Sequence, residues 1–368
     1  MSFRQLFATK SLEHVMEEVE SGQRLKRALG PWSLVALGIG AIIGTGIFVL
    51  VGKAARDTTG PVLMLSFVVA GLACIFAALC YAEFASMAPV AGSAYTYAYL
   101  TLGELMAWII GWDLVLEYAV ASCTVAHGWS KYFQDLLKIG KIELPPFLGD
   151  APLGVHEGAI VLTGHWLDLP ALLIALVVTG ILVRGIRESA FLNGIMVAVK
   201  LGWVLFVIVA GLPYVKFSNW TDNFAPYGYG GVSFFGHLIW GDVNPVTKLP
   251  AGVMAGAALI FFAYLGFDAV STNAEEAKNP SRDLPIGIIG SLLVCTVLYI
   301  AVAAVLTGMV PYAEIQKEAP VANAFEHVGF QGARLLVSIG AITGITSVLL
   351  GMMCGQPRVF LEIGRAHV

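Results

Sequence analysis

Charge is scarce in this sequence. Asp, Glu, Lys and Arg make up 12% of the 368 residues against 58% hydrophobic ones, and the mean hydropathy is +0.80. A soluble domain of this size would expose massive apolar surface at that composition, so a globular fold in water is excluded and lipid must be the solvent for most of the chain. Cysteine is sparse too. The five cysteines, Cys74, Cys80, Cys123, Cys295 and Cys354, lie in or beside apolar runs at spacings unlike those of zinc or redox sites, and read as small packing hydrophobes. A net charge of −4 without a basic stripe gives no basis for a nucleic-acid partner. Enzyme signatures are missing: there is no phosphate-binding glycine loop with a following Lys-Ser or Lys-Thr, no His-Glu-x-x-His, no Gly-x-Ser-x-Gly and no Cys-x-x-Cys. The loops are too short for a soluble catalytic domain, and no cofactor or metal is implied.

What is present is apolar sequence in runs of membrane-spanning length, about 20 residues each. Spans are expected at 32–53, 61–86, 103–137, 168–184, 189–212, 250–276, 284–310 and 332–361, which makes an all-α polytopic membrane protein of about eight spans. Residues 1–30 are polar, lack the apolar core of a signal peptide, and are expected to be a cytosolic segment ahead of one membrane domain, 31–361. The third span is too long to stand upright. It should tilt or end in an amphipathic tail at the interface bearing Lys131, Asp135 and Lys138. Basic residues cluster in the N-terminal segment (Arg24, Lys26, Arg27), after span four (Arg184, Arg187) and after span six (Lys278, Arg282), all on one side if the spans alternate.

Three features inside the spans carry chemistry. Span one contains Gly38, Gly40, Gly44, Thr45 and Gly46, residues that weaken a helix at mid-membrane; they suit either a break in the helix or close packing of neighbours. Span six contains Phe262-Ala-Tyr-Leu265-Gly266-Phe-Asp268, and a carboxylate at that depth costs about 2.5–3.5 kcal/mol unless it faces a partner or a cavity. Breaks in spans one and six, five helices apart, are the relation expected of inverted repeats around a central site. A broken helix offers free N–H groups to a carboxylate and free carbonyls to an ammonium, which together suit a zwitterion.

The third feature is Lys200, alone amid Ile, Met, Val, Ala, Leu and Trp in span five. Burial there disfavours its charged form, which suits a reversible proton carrier; the alternative is a lysine paired with Asp113 or Glu117 of span three. Asp113 and Glu117, four residues apart on one helical face, could themselves hold a cation or proton, or form a structural polar cluster. His127 reads as an interfacial or packed histidine.

The ordered set Gly44-Thr45-Gly46-Ile47-Phe48, Pro89-Val-Ala-Gly92-Ser93-Ala94-Tyr95, Phe262 to Asp268 and Asn279-Pro280-Ser-Arg282-Asp283-Leu-Pro285 closely resembles the cationic amino acid transporter family of the amino acid, polyamine and organocation superfamily. The resemblance implies an inverted-repeat bundle like that of the leucine transporter, with substrate between the broken first and sixth spans and walls from the third and eighth. It implies that Ile43, Gly44, Thr45 and Gly46 receive the carboxylate of an L-amino acid. Carbonyls of Ile42, Phe262 and Leu265 would receive the amino group, Phe262 would act as an aromatic gate, and Lys200 would couple transport to protons. Asp113, Glu117 and Asp268 are further candidates for that coupling. The expected activity is secondary active transport across the cytoplasmic membrane by proton symport and alternating access. A sensor or a channel-like protein of the same fold is the alternative. Relatives continue for further spans, and residues 362–368 depart from their pattern and are expected to be a non-native tail.

Overall fold

The computed structural model of the protein describes residues 7–11, 27–88, 93–156, 159–184, 190–234 and 237–366. Arg24, Lys26, Arg187, Pro89 to Gly92 and residues 367–368 lie outside them. The architecture is a polytopic helical bundle. Six helical stretches are long and apolar enough to cross a membrane, and two shorter apolar helices, Pro31–Ile42 and Leu169–Val183, accompany them. Together they account for the eight expected spans. Span one is Pro31–Ile42 with its continuation from Gly46, span two Leu63–Met87, span three Glu104–Ile139, span four Leu169–Val183 and span five Ala190–Gly211. Span six starts with Val253–Ile260, span seven is Pro280–Met309 and span eight is Gln331–Ala366.

Local chemistry sets several of the helix ends. Pro31 and Pro280 open spans one and seven, where a missing N–H costs nothing. Asp168 caps span four by accepting from the Ala171 N–H at 3.2 Å. Leu72, Phe76, Leu116, Val120, Leu176, Val209 and Val297 stay exposed on the helix surfaces, the arrangement that a lipid solvent rewards.

Span seven packs along spans one and two, and span eight along span three. Small residues allow the close approach: a Cβ at Gly38 would sit 2.4 Å from Ser291 Oγ, and one at Gly287 would sit 2.7 Å from Leu34 Cβ. The two readings of the span-one glycines therefore apply to different residues. Gly38 serves helix packing, while Gly44 lies where the helix stops.

Leu29 pairs with Ala277, and the Lys278 N–H donates to Leu29 O at 2.9 Å, so the end of the N-terminal segment and the basic turn after span six share one face of the bundle. On the other face the loops carry three two-stranded antiparallel pieces among the described residues: Leu153–His156 with Ala159–Leu162, Val232–Phe234 with His237–Trp240, and Asp242–Val243 with Pro250–Ala251. These strands and the short helix Pro320–His327 were not legible in the hydropathy, because loop sequences of this length carry no strong period.

The tail of span three does not turn all three of its charges outward. Lys138 is exposed, but Lys131 and Asp135 are buried and turn inward. Lys131 Nζ meets Asp150 Oδ2 at 2.8 Å, and Asp135 accepts from Arg334 Nη2 at 2.5 Å and from Ser338 Oγ at 2.8 Å. Partial burial pushes the Asp150 carboxyl up, but the Lys131 ammonium and the Ala151 N–H outweigh it and hold the group below the usual carboxylate range.

Removing one partner of a buried pair leaves the other charge stranded. Asp135→Ala is therefore expected to destabilise the bundle by about 3 kcal/mol, at the low end for such pairs because Arg334 also holds Glu326. Thermal unfolding in detergent checks it: the midpoint should fall for Asp135→Ala and recover in part when Arg334→Met is added. An unchanged single mutant would show that the pair does not tie span three to span eight.

Candidate functional site

Span one stops after Ile42. Ile43 is extended, with φ −72° and ψ 105°, and the chain resumes helical winding as a wide π-type turn over Gly46–Leu50. Span six tightens over Phe261–Tyr264, opens at Leu265 with φ −50° and ψ 137°, and passes through Gly266 at φ +105°. That left-handed position favours glycine, and a Cβ there would also lie 2.9 Å from Ala41 O of span one. The two breaks thus face each other at close range.

Between them is a small cavity. Ile42, Gly44, Thr45 and Gly46 line it from span one, and Phe262, Ala263 and Leu265 from span six. Spans three and eight close the sides with Ala121, Val125, Val348 and Met352. Of the residues expected to bind the substrate, Ile43 is the one the cavity does not include. Its N–H keeps a helical bond to Ile39 O at 3.0 Å, and its carbonyl turns to span five. The first N–H groups of the resumed helix, after Gly44, have no intrahelical acceptor by construction and point the positive end of a helix toward the opening.

Lys200 is 2% exposed, and its Nζ donates to Gly40 O at 2.5 Å and to Ile43 O at 3.1 Å. These carbonyls are free because the helix ends: Gly40 O would otherwise accept from the Gly44 N–H. Among the described residues no carboxylate lies within ion-pair distance of Lys200, so it is not paired with Asp113 or Glu117. Its aliphatic stem packs near Gly344 of span eight.

The acidic candidates separate. Asp113 is exposed and Glu117 half-buried. Asp268 is buried and has Oδ2 without a hydrogen-bond partner among the described residues. His127 is not merely packed: its Nδ1 lies 2.8 Å from Asp168 Oδ2, and Ser130 Oγ donates to the other oxygen at 2.5 Å.

Sequence reasoning missed Tyr299. Its hydroxyl, buried in span seven, lies 2.9 Å from both Ile42 O and Ala263 O, so one O–H is shared by the two broken helices. A tyrosine in mid-span, an apolar ring with a polar tip that must find a partner, was the available signal. Tyr299→Phe is expected to weaken ligand binding up to about tenfold with normal expression, the worth of one hydrogen bond, about 0.5–1.5 kcal/mol. Isothermal titration would check this, and unchanged affinity would detach Tyr299 from the site.

The chain can now be compared with known proteins. The sequence model of the amino acid permease family matches residues 29–368. A methylthioribose transporter of Bacillus subtilis (strain 168) is 45% identical over 360 residues, 98% of this chain and 72% of that protein. The branched-chain amino acid permease BcaP of the same organism is 47% identical over 361 residues, again 98% and 72%. The chloroplastic cationic amino acid transporter 9 of Arabidopsis thaliana is 41% identical over 347 residues, 94% of this chain and 56% of the plant protein.

Proposed function

Because this chain belongs to the amino acid permease family, whose members here are membrane transporters and not enzymes, we propose that it carries L-amino acids across the cell membrane by proton symport and alternating access. The observation that carries the reading is the pair of facing helix breaks with Lys200 tied to one of them. A substrate carboxylate would sit at the freed N–H groups around Gly44, Thr45 and Gly46, where the helix dipole and unpaired donors favour an anion. Its ammonium would sit at carbonyls of Ile42, Phe262 and Leu265. Each carbonyl has two lone pairs, so Ile42 O can keep Tyr299 and still accept a second donor. Phe262, half-buried over the cavity, would cover the bound substrate.

Lys200 supplies the coupling. Protonated, it holds span five to the end of span one; deprotonated, it holds it less firmly, and two arrangements of the bundle differ in proton affinity. The N-terminus and the basic face that Leu29 shares with Ala277 would then be cytosolic. The reading is tested by uptake into proteoliposomes across a panel of all common amino acids. Saturable and stereoselective uptake is expected, stimulated by an inward proton gradient. Non-saturating flux, or none for any amino acid, would end the carrier reading.

A further inference from the structure

The relatives name three different kinds of substrate, so similarity does not choose among them. The cavity does. Resting on the permease reading above, we propose that the substrate's side chain is uncharged and apolar, aliphatic or thioether, and that Ala121, Val125, Val348 and Met352 select it.

The backbone at the two breaks can hold only the part common to all amino acids. What remains for the side chain are the walls from spans three and eight. Ala121 and Val125 stand one turn apart on span three, and Val348 and Met352 one turn apart on span eight. Val348 lies directly over the break: a Cβ at Gly44 would be 2.9 Å from its Cγ2. No residue lining the cavity is charged.

The nearest acids along the chain, Glu117 and Asp268, belong to the next layer. Glu117 is one turn before Ala121, and Asp268 follows Leu265 by three residues; neither borders the cavity. Tyr118, the next residue after Glu117, packs against span eight. It is buried, and its ring packs on Gly355 of span eight so closely that a Cβ there would lie 3.2 Å from Cε1. A lysine or arginine side chain entering from the breaks would end against hydrocarbon with its charge unpaired, which is strongly unfavourable. An apolar side chain meets matching walls instead, and the flexible thioether of Met352 adapts to branched or unbranched shapes. The side chains of Val348 and Met352 occupy the wall against which a ring would have to lie, which favours an aliphatic amino acid over an aromatic one.

The test is ligand-induced thermal stabilisation of the purified protein, backed by competition for uptake in proteoliposomes. The ligands are L-leucine, L-isoleucine, L-methionine, L-phenylalanine, L-arginine, L-lysine and methylthioribose. Leucine, isoleucine and methionine should bind at least 20-fold more tightly than arginine or lysine. Met352→Ala should improve phenylalanine at least tenfold while weakening leucine, and Val348→Ala provides the same readout from the adjacent turn should the first variant not fold. Arginine or lysine binding as tightly as leucine would overturn the apolar assignment and leave the amino acid reading standing. Binding of methylthioribose alone, or of nothing, would overturn both. Phenylalanine affinity unmoved in both folded variants would overturn the role given to span eight.

Discussion

Replacing Lys200 with methionine is expected to abolish the stimulation of uptake by an inward proton gradient while exchange of internal for external substrate persists. Methionine keeps the length and apolar stem of the side chain, so the packing near Gly344 survives, but it cannot donate to Gly40 O and Ile43 O. Two carbonyls are left without their donor at the end of span one, and the cost of each, about 1–3 kcal/mol, should appear as a clear loss of thermal stability. The decisive reading is coupling: the concentrative component of uptake should vanish, while counterflow, which needs only binding and rocking, continues. A Lys200→Met protein that still concentrates substrate in response to the gradient would make Lys200 a structural tie. Glu117 and the buried Asp268 would then be the next groups to examine, ahead of Asp113, which is exposed.

Gly46→Ala should be the most damaging small substitution in the site. A Cβ at Gly46 would fall 2.3 Å from Ala263 Cβ and 2.6 Å from Ala263 Cα. The second contact is with backbone, so the two broken spans must separate. Overpacking of this kind costs about 1–3 kcal/mol where side chains can yield, and a backbone clash belongs at the top of that range, about a hundredfold in affinity. Gly44→Ala should be milder, because its nearest obstacle is the Val348 side chain, which can shift. Binding titrations of both variants, with thermal unfolding as a control, separate the cases. Equal affinity for Gly46→Ala and the parent would mean that the spacing of the two breaks does not shape the site.

The break in span one was legible because glycine and threonine at mid-membrane contradict everything around them, and Lys200 was legible for the same reason. Residues that a lipid environment penalises stand out against it. Tyr299, Val348 and Met352 did not stand out, since a tyrosine, a valine and a methionine are ordinary in an apolar helix. Their importance comes from what faces them: two carbonyls for Tyr299, and the opposite wall of the cavity for the others. The buried pair of Asp135 and Arg334 was not legible in the sequence for a related reason. A charge near the end of a long helix gives no sign of its partner until the helix nearly 200 positions away is known to bring an opposite charge to it.

By itself, then, the sequence determined the solvent, the number of spans and the lysine in the middle of span five, and marked where two helices could break, because composition and helix-breaking residues act locally and need no partner to have their effect. Only the tertiary structure decided that Lys200 reaches the carbonyls of Gly40 and Ile43, that the Ile43 N–H remains in its helix, that Tyr299 joins the two breaks, and that the side-chain walls are apolar. Backbone carbonyls are the same at every residue and apolar contacts carry no directional signature, so which of them meet is settled by how the helices pack.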